Sequence, residues 1–270
     1  MAKIFGERWH VVSARPLAKG PQAEVFRVID TRGAFEGEYA LKHILHPLQH
    51  DRFRREIEAV TALRHPNVIG LVDDSAFRNP AGDPEKHFLV MPIADGGELG
   101  SKGRIDRYKQ CIDVVLQVGR QAASALIAAH DEGILHRDLK PSNILFMGLG
   151  HEVWLSDFGI SLIREAALPD PANAAARAFM APELENGAQL DVAPAADVFS
   201  LGKVLYFMYS GGMIPPGERL ADPASNGLFQ KGKRPGLLEN LLRTMVCPLE
   251  DRVKTMPEVL MQLEAIGNRD

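Results

Sequence analysis

His136-Arg137-Asp138-Leu139-Lys140-Pro141-Ser142-Asn143 is the most specific string in this chain, and it stands between two contrasting patterns. Before it, residues 108–132 place Ile112, Val115, Val118, Ala122, Ala125 and Ala129 at helical spacing, which predicts one long helix with an apolar face. After it, residues 143–147 and 152–156 are two short apolar runs, short enough to form a hairpin. Further outward lie three more landmarks: Asp157-Phe158-Gly159, which begins 19 residues beyond Asp138, then Ala181-Pro182-Glu183, and far upstream Lys42 in Tyr39-Ala40-Leu41-Lys42.

The first ninety or so residues read as strands around one helix. Residues 10–17, 23–30 and 38–45 are rich in Val, Ile, Phe and Tyr, with a Thr31-Arg32-Gly33 turn between the second and third, and predict a meander. Residues 51–63 put Phe53, Ile57, Val60 and Leu63 on one side of an amphipathic helix that His65-Pro66-Asn67 ends. Residues 68–77 and 87–91 supply two further strands, so this part predicts a five-stranded antiparallel sheet plus one helix. Ile93-Ala94-Asp95-Gly96-Gly97 is a short connection, and beyond it residues 197–209, 237–245 and 257–266 are helical. The fold class is α+β, a strand-rich lobe followed by a mainly α lobe.

Composition narrows the function. The 270 residues are 46% hydrophobic and 24% charged, the proportions of a globular chain. A formal charge of −4 lacks the basic excess of a dedicated nucleic-acid binder, so no nucleic-acid partner is expected. The two cysteines, Cys111 and Cys247, are too few for a disulfide framework and lack metal-ligand spacing, which fits a reducing compartment. No stretch reaches the ~18 uninterrupted apolar residues of a membrane helix. The best candidate, residues 198–216, is broken by Lys203 and by Gly211-Gly212. The N-terminus lacks the apolar core of a signal peptide, and a cytoplasmic location is expected.

Taken together the landmarks resemble a eukaryotic-type (Hanks-type) serine/threonine protein kinase catalytic domain, in a style similar to bacterial members, and they follow the family order from Leu17 to Arg252. The resemblance implies a bilobal fold over residues 1–270, with an N-lobe to about residue 91, a hinge at about 92–97 and a C-lobe from about 98. It implies transfer of the ATP γ-phosphate to Ser/Thr hydroxyls of protein substrates. Asp138 matches the base that orients the acceptor and takes its proton. Lys140 matches the lysine that steadies the transferred phosphate, and its presence favours Ser/Thr over Tyr acceptors. Asn143 and Asp157 match the ligands of Mg²⁺ (or Mn²⁺). Lys42 would hold the α- and β-phosphates and pair with Glu56, while Glu58 would point to a different helix face. The adenine site implied is Leu17, Val25 and Ala40 with Leu145, Met91 as gatekeeper, and Pro92 and Ala94 as hinge contacts. Pro92 lacks an N–H, but the hinge needs only a carbonyl there and a donor at Ala94. A homodimer that assists activation is among the partners the family admits. Glu183 with Arg252 resembles a buried ion pair, and Asp197 resembles the acid that holds the catalytic-loop backbone.

Two departures stand out. In Leu17-Ala18-Lys19-Gly20-Pro21-Gln22-Ala23-Glu24-Val25 only Gly20 remains of the three glycines of the phosphate-covering loop, Ala18 and Ala23 replacing the others. Between Asp157 and Glu183 the only hydroxyl is Ser161, and Ala176, last of Ala174-Ala175-Ala176, occupies the place of a threonine that normally bridges the catalytic Asp and Lys. Either the chain works without loop phosphorylation, or engineered alanines stand in for Ser/Thr acceptors. The alternative function is a pseudokinase, a nucleotide-binding scaffold that signals through contacts.

Overall fold

Six short strands build one antiparallel sheet: β1 (Ile4–Phe5), β2 (Trp9–Val11), β3 (Ala18–Lys19), β4 (Ala23–Asp30), β5 (Glu38–Ile44) and β6 (Phe88–Pro92). The structure, a computed structural model, describes residues 3–20, 23–45, 61, 63–73, 87–158, 177–185, 194–215, 217, 220, 228–229 and 232–269. The chain divides into two compact units, the first comprising Met1–Arg64 and Ile69–Ile93, the second His65–Val68 and Ala94–Asp270.

In the first unit the strand order is β1-β2-β4-β5-β6, with β3 also paired to β4. The register sets Val25 opposite Lys42 and Lys42 opposite Leu89, and sets Arg27 opposite Ala40 and Ala40 opposite Met91. Because side chains alternate along a strand, Val25, Ala40, Lys42 and Met91 share one face of the sheet. The other face carries Phe26, Val28, Leu41, Phe88 and Val90, which close a core with Phe5 and Trp9. The loop after β4 is organised by one carboxylate. Asp30 accepts Arg8 Nε and Nη2, both at 2.8 Å, and the backbone N–H groups of Arg32, Ala34 and Phe35 at 2.9–3.1 Å. The Arg8 guanidinium holds the Asp30 carboxyl well below the usual carboxylate range.

Two expected strands differ in detail. The first, residues 10–17, forms a strand only at its start: β2 ends at Val11 and β3 begins at Ala18, and between them lies Pro16, which has no N–H to donate; the pairing resumes where Leu17 N donates to Val25 O at 2.6 Å. Of the strand expected at 68–77, the described part, residues 68–73, holds only bridges. Asp73 pairs with Val90, while Val68 pairs with Leu155 inside the second unit. With Ile4–Phe5 added, the sheet has six strands among the described residues, where five were expected. The helix expected at 51–63 lies outside the described residues except for Thr61 and Leu63.

The second unit contains a three-stranded sheet of β7 (Gly97–Glu98), β8 (Ile144–Phe146) and β9 (Val153–Leu155). The described helices are α1 (Lys102–Tyr108), α2 (Ile112–Asp131), α3 (Pro182–Glu185), α4 (Ala195–Ser210), α5 (Lys233–Met245) and α6 (Met256–Gly267). By length and composition α2 could cross a membrane, although the sequence pointed to residues 198–216 instead; half of its apolar stretch is buried inside this unit, where it packs on α4 and α6. Helix α4 is apolar nearly all round, and all but one of its side chains are buried, so it forms the centre of the unit.

Candidate active site

The string 136–143 gets its shape from a buried acid more than fifty residues downstream. Asp197, in the first turn of α4, is 1% exposed and accepts the backbone N–H of His136 at 2.9 Å and of Arg137 at 2.8 Å. His130 Nε2, in the last turn of α2, lies 2.8 Å from the same carboxylate. Burial alone would raise the Asp197 carboxyl, but the His130 bond, the neighbouring imidazoles and the Arg137 N–H outweigh it and hold it below its ordinary value. The latch holds Arg137 in the left-handed region at φ 61°, a conformation costly for a long side chain. His136 is fully buried 4.6 Å from the Phe158 ring centroid, and burial pushes its imidazole below the usual value despite the nearby acids.

Downstream of the latch three of the candidate side chains converge. Lys140 Nζ donates to Asp138 Oδ2 at 2.7 Å, and Asn143 Nδ2 donates to the Asp138 carbonyl at 2.8 Å. A 3-10 turn at Pro141–Asn143 makes this reach possible. The hairpin then brings in Asp157. In the β8–β9 ladder Ile144 faces Leu155, so Ser156 N donates to Asn143 O at 3.0 Å and places Asp157 one residue beyond. Asp157 is itself left-handed at φ 64°, which short polar residues tolerate better than others.

Among the described residues no three His, Cys, Asp or Glu side chains gather as a metal cage. The donor set instead suits Mg²⁺. An amide oxygen on Asn143 and a carboxylate on Asp157 are hard oxygen ligands, and this ion is commonly held by one or two carboxylates with substrate phosphates and water completing its shell. The bond that Asn143 Nδ2 makes to Asp138 fixes which end of the amide remains for a cation.

The structure thus brings Asp138, Lys140 and Asn143 together and sets Asp157 beside them through the hairpin. Leu145, in β8, lies opposite Trp154, and Ala94 N–H is in the connection before β7. In the first unit Lys42 is 7% exposed in β5, sharing a sheet face with Val25, Ala40 and Met91, while Leu17 is 47% exposed and Gly20 N donates to Ala23 O at 3.0 Å. Glu56, Ser161 and Ala174-Ala175-Ala176 lie outside the described residues.

The end of the segment after Asp157 is also docked. Arg252 reaches Glu183 with Nη1–Oε1 at 2.5 Å and Nη2–Oε2 at 3.2 Å, and it donates as well to the carbonyls of Cys247 and Ala195. His130 is the member of the latch that the sequence did not announce. It terminates a helix and offers no periodic signal, and only its spacing of six residues before His136 could have drawn notice.

Comparison with known proteins gives four concordant findings. The family model described as a protein kinase domain matches residues 12–235. A probable serine/threonine-protein kinase PknB of Lactococcus lactis is 29% identical over 221 residues, covering 78% of this chain and 33% of that protein. Serine/threonine-protein kinase PknA of Mycobacterium tuberculosis is 33% identical over 208 residues, covering 73% of this chain and 46% of that protein. The chain therefore spans a third to under a half of these curated relatives. Among solved structures, the M. tuberculosis PknI kinase domain superposes with a TM-score of 0.72 at 24% identity, over 100% of this chain and 99% of that one, which shows the same fold.

Proposed function

The chain belongs to the protein kinase domain family, and on that premise we propose that it transfers the γ-phosphate of ATP to serine or threonine hydroxyls of protein substrates. The observation that carries the reading is the preassembled set Asp138–Lys140–Asn143, with Lys140 Nζ 2.7 Å from Asp138 Oδ2 and the backbone of His136 and Arg137 latched by Asp197.

In this reading the acceptor oxygen attacks the γ-phosphorus as the bond to the β,γ-bridging oxygen breaks and ADP leaves. Asp138 orients the hydroxyl and takes its proton, and Lys140 is placed to neutralise charge on the transferred group. Asn143 and Asp157 would hold Mg²⁺, which supplies positive charge to the phosphates when bound. Lys42, paired with Glu56, would hold the α- and β-phosphates. Within the first unit Val25, Ala40, Met91 and Leu17 would supply apolar contact to adenine, with Gly20 over the phosphates and Pro92 as a backbone partner. Retention of Lys42, Asp138, Asn143 and Asp157 weighs against the scaffold reading.

The same proposal includes a cytoplasmic signalling role and a homodimer that assists activation. The two cysteines are too few for a disulfide framework and lack metal-ligand spacing, which fits a reducing location. The deciding experiment is mass-spectrometric detection of phosphate transferred from Mg-ATP to a generic Ser/Thr-rich acceptor, with Asp138→Asn alongside. Transfer by the parent chain and its loss in the variant is the expected result. Equal transfer by both would remove Asp138 from the role of base.

A further inference from the structure

Lys203 sits in the middle of α4, a helix whose other side chains are almost all buried apolar groups, and it is itself 5% exposed. A lysine in such surroundings keeps its charge only where strong acceptors compensate for lost water. Its Nζ donates to the Ala178 carbonyl at 2.8 Å and lies 5.1 Å from the Phe199 ring centroid. Phe199 in turn lies 4.7 Å from Arg252, the residue that holds Glu183. Two cations from the helical core thus hold one short segment at two points, Lys203 at Ala178 and Arg252 at Glu183. Between those points Phe179 is 5% exposed and meets Phe207 edge-on at 5.6 Å.

The sequence explains why such a tether matters. From Asp157 to Glu183 the only hydroxyl is Ser161, and Ala176, two residues before Ala178, has no side-chain donor with which to fasten this stretch to the catalytic loop. Phosphorylation has correspondingly little to act upon there.

We propose that Lys203 is a positioning residue that docks residues 177–181 onto α4 through the Ala178 carbonyl, so that this segment is held for the protein substrate without a phosphorylated loop. The substrate part rests on the kinase reading above; the docking part does not. Lys203 touches no reacting atom. It acts through the backbone it holds, and the effect falls on acceptor binding rather than on nucleotide binding.

The test is Lys203→Met, which keeps most of the side-chain volume and removes the donor. Amide hydrogen exchange of the full chain should be at least roughly tenfold faster in residues 177–181, with the central turns of α4 unchanged. In steady-state transfer the peptide KM should rise roughly fivefold or more while the ATP KM holds, a split that a general loss of stability would not produce. Unchanged protection of residues 177–181 would overturn the proposal. Should the variant fail to fold, acylation of the parent chain's lysines decides: strong protection of Lys203 relative to exposed Lys102 supports the tether, and equal labelling refutes it. A parent chain that transfers no phosphate would defeat the kinase reading while leaving the exchange result to judge the tether.

Discussion

Replacing Asp197 by asparagine changes one atom and should undo the catalytic loop. The carboxylate serves three partners within 2.8–2.9 Å, the N–H groups of His136 and Arg137 and the His130 ring, at a position 1% exposed. An asparagine oxygen can accept one backbone N–H, but its NH₂ would then face the other, two donors opposed. A hydrogen bond to a charged group contributes about 1.5–3 kcal/mol, and a buried donor left without an acceptor costs about 1–3 kcal/mol. Allowing for the relief of no longer burying a charge, Asp197→Asn should cost about 3 kcal/mol, in line with breaking one side of a buried charged network. For a chain of this size that is a fall in Tm of roughly 6–12 °C by calorimetry. Arg137 would then be able to leave its left-handed conformation, and Asp138, the next residue, would lose its aim, so kcat should drop by about 10² or more in a single-turnover transfer assay. A Tm within about 1 °C of the parent together with unchanged kcat would refute the latch. The pH dependence has a definite sign: because the folded-state carboxyl lies below its ordinary value, its contribution is complete above the unfolded value of ~3.9 and is lost only as pH falls through the folded one.

Arg252→Met removes bonds to Glu183, Cys247 and Ala195 from a side chain that is fully buried, and thermal unfolding should register a loss of roughly 3–5 kcal/mol. His136 is held neutral by burial, so the unfolded chain gains a proton near ~6.5 that the folded chain resists, and stability should decline as pH falls below that value. Urea midpoints at several pH values should show this, with a shallower slope in His136→Phe; His65, also lowered by burial, supplies part of what remains. In Gly96→Ala the new Cβ would fall inside contact distance of the Gly148 carbonyl oxygen and 2.7 Å from that of Phe146, both backbone atoms with little room to retreat. Denaturant unfolding should show a cost of about 1–3 kcal/mol, and a neutral result would mean that this corner can shift.

The parts legible in the sequence were those written in contiguous residues. The string 136–143, the hairpin that follows it and the strand around Lys42 stood out because local spacing and local chemistry coincide there. The apolar residues from 68 onward predicted a strand; in the described part, 68–73, Val68 is 5% and Ile69 4% exposed but the pairing is limited to bridges, because an apolar run does not say which strand supplies the hydrogen bonds. Asp197 was reached through family resemblance alone, since nothing in its own neighbourhood announces partners sixty residues back. His130 and Lys203 were invisible for the opposite reason. Periodicity treats a charge at a helix end as solvated and one inside an apolar run as an interruption, whereas here both face the interior and find acceptors there.

The hairpin and the latch also differ in how much chain each must gather. Ile144 meets Leu155 across a short loop, whereas Asp197 must find Arg137 across 60 residues, and closing the longer loop carries the larger entropy cost. Contacts between near neighbours generally form sooner. As the polypeptide folds, Asn143 and Asp157 should therefore be brought into proximity while the stretch bearing Asp138 is still loose, so that catalytic competence arrives last, with the docking of α4.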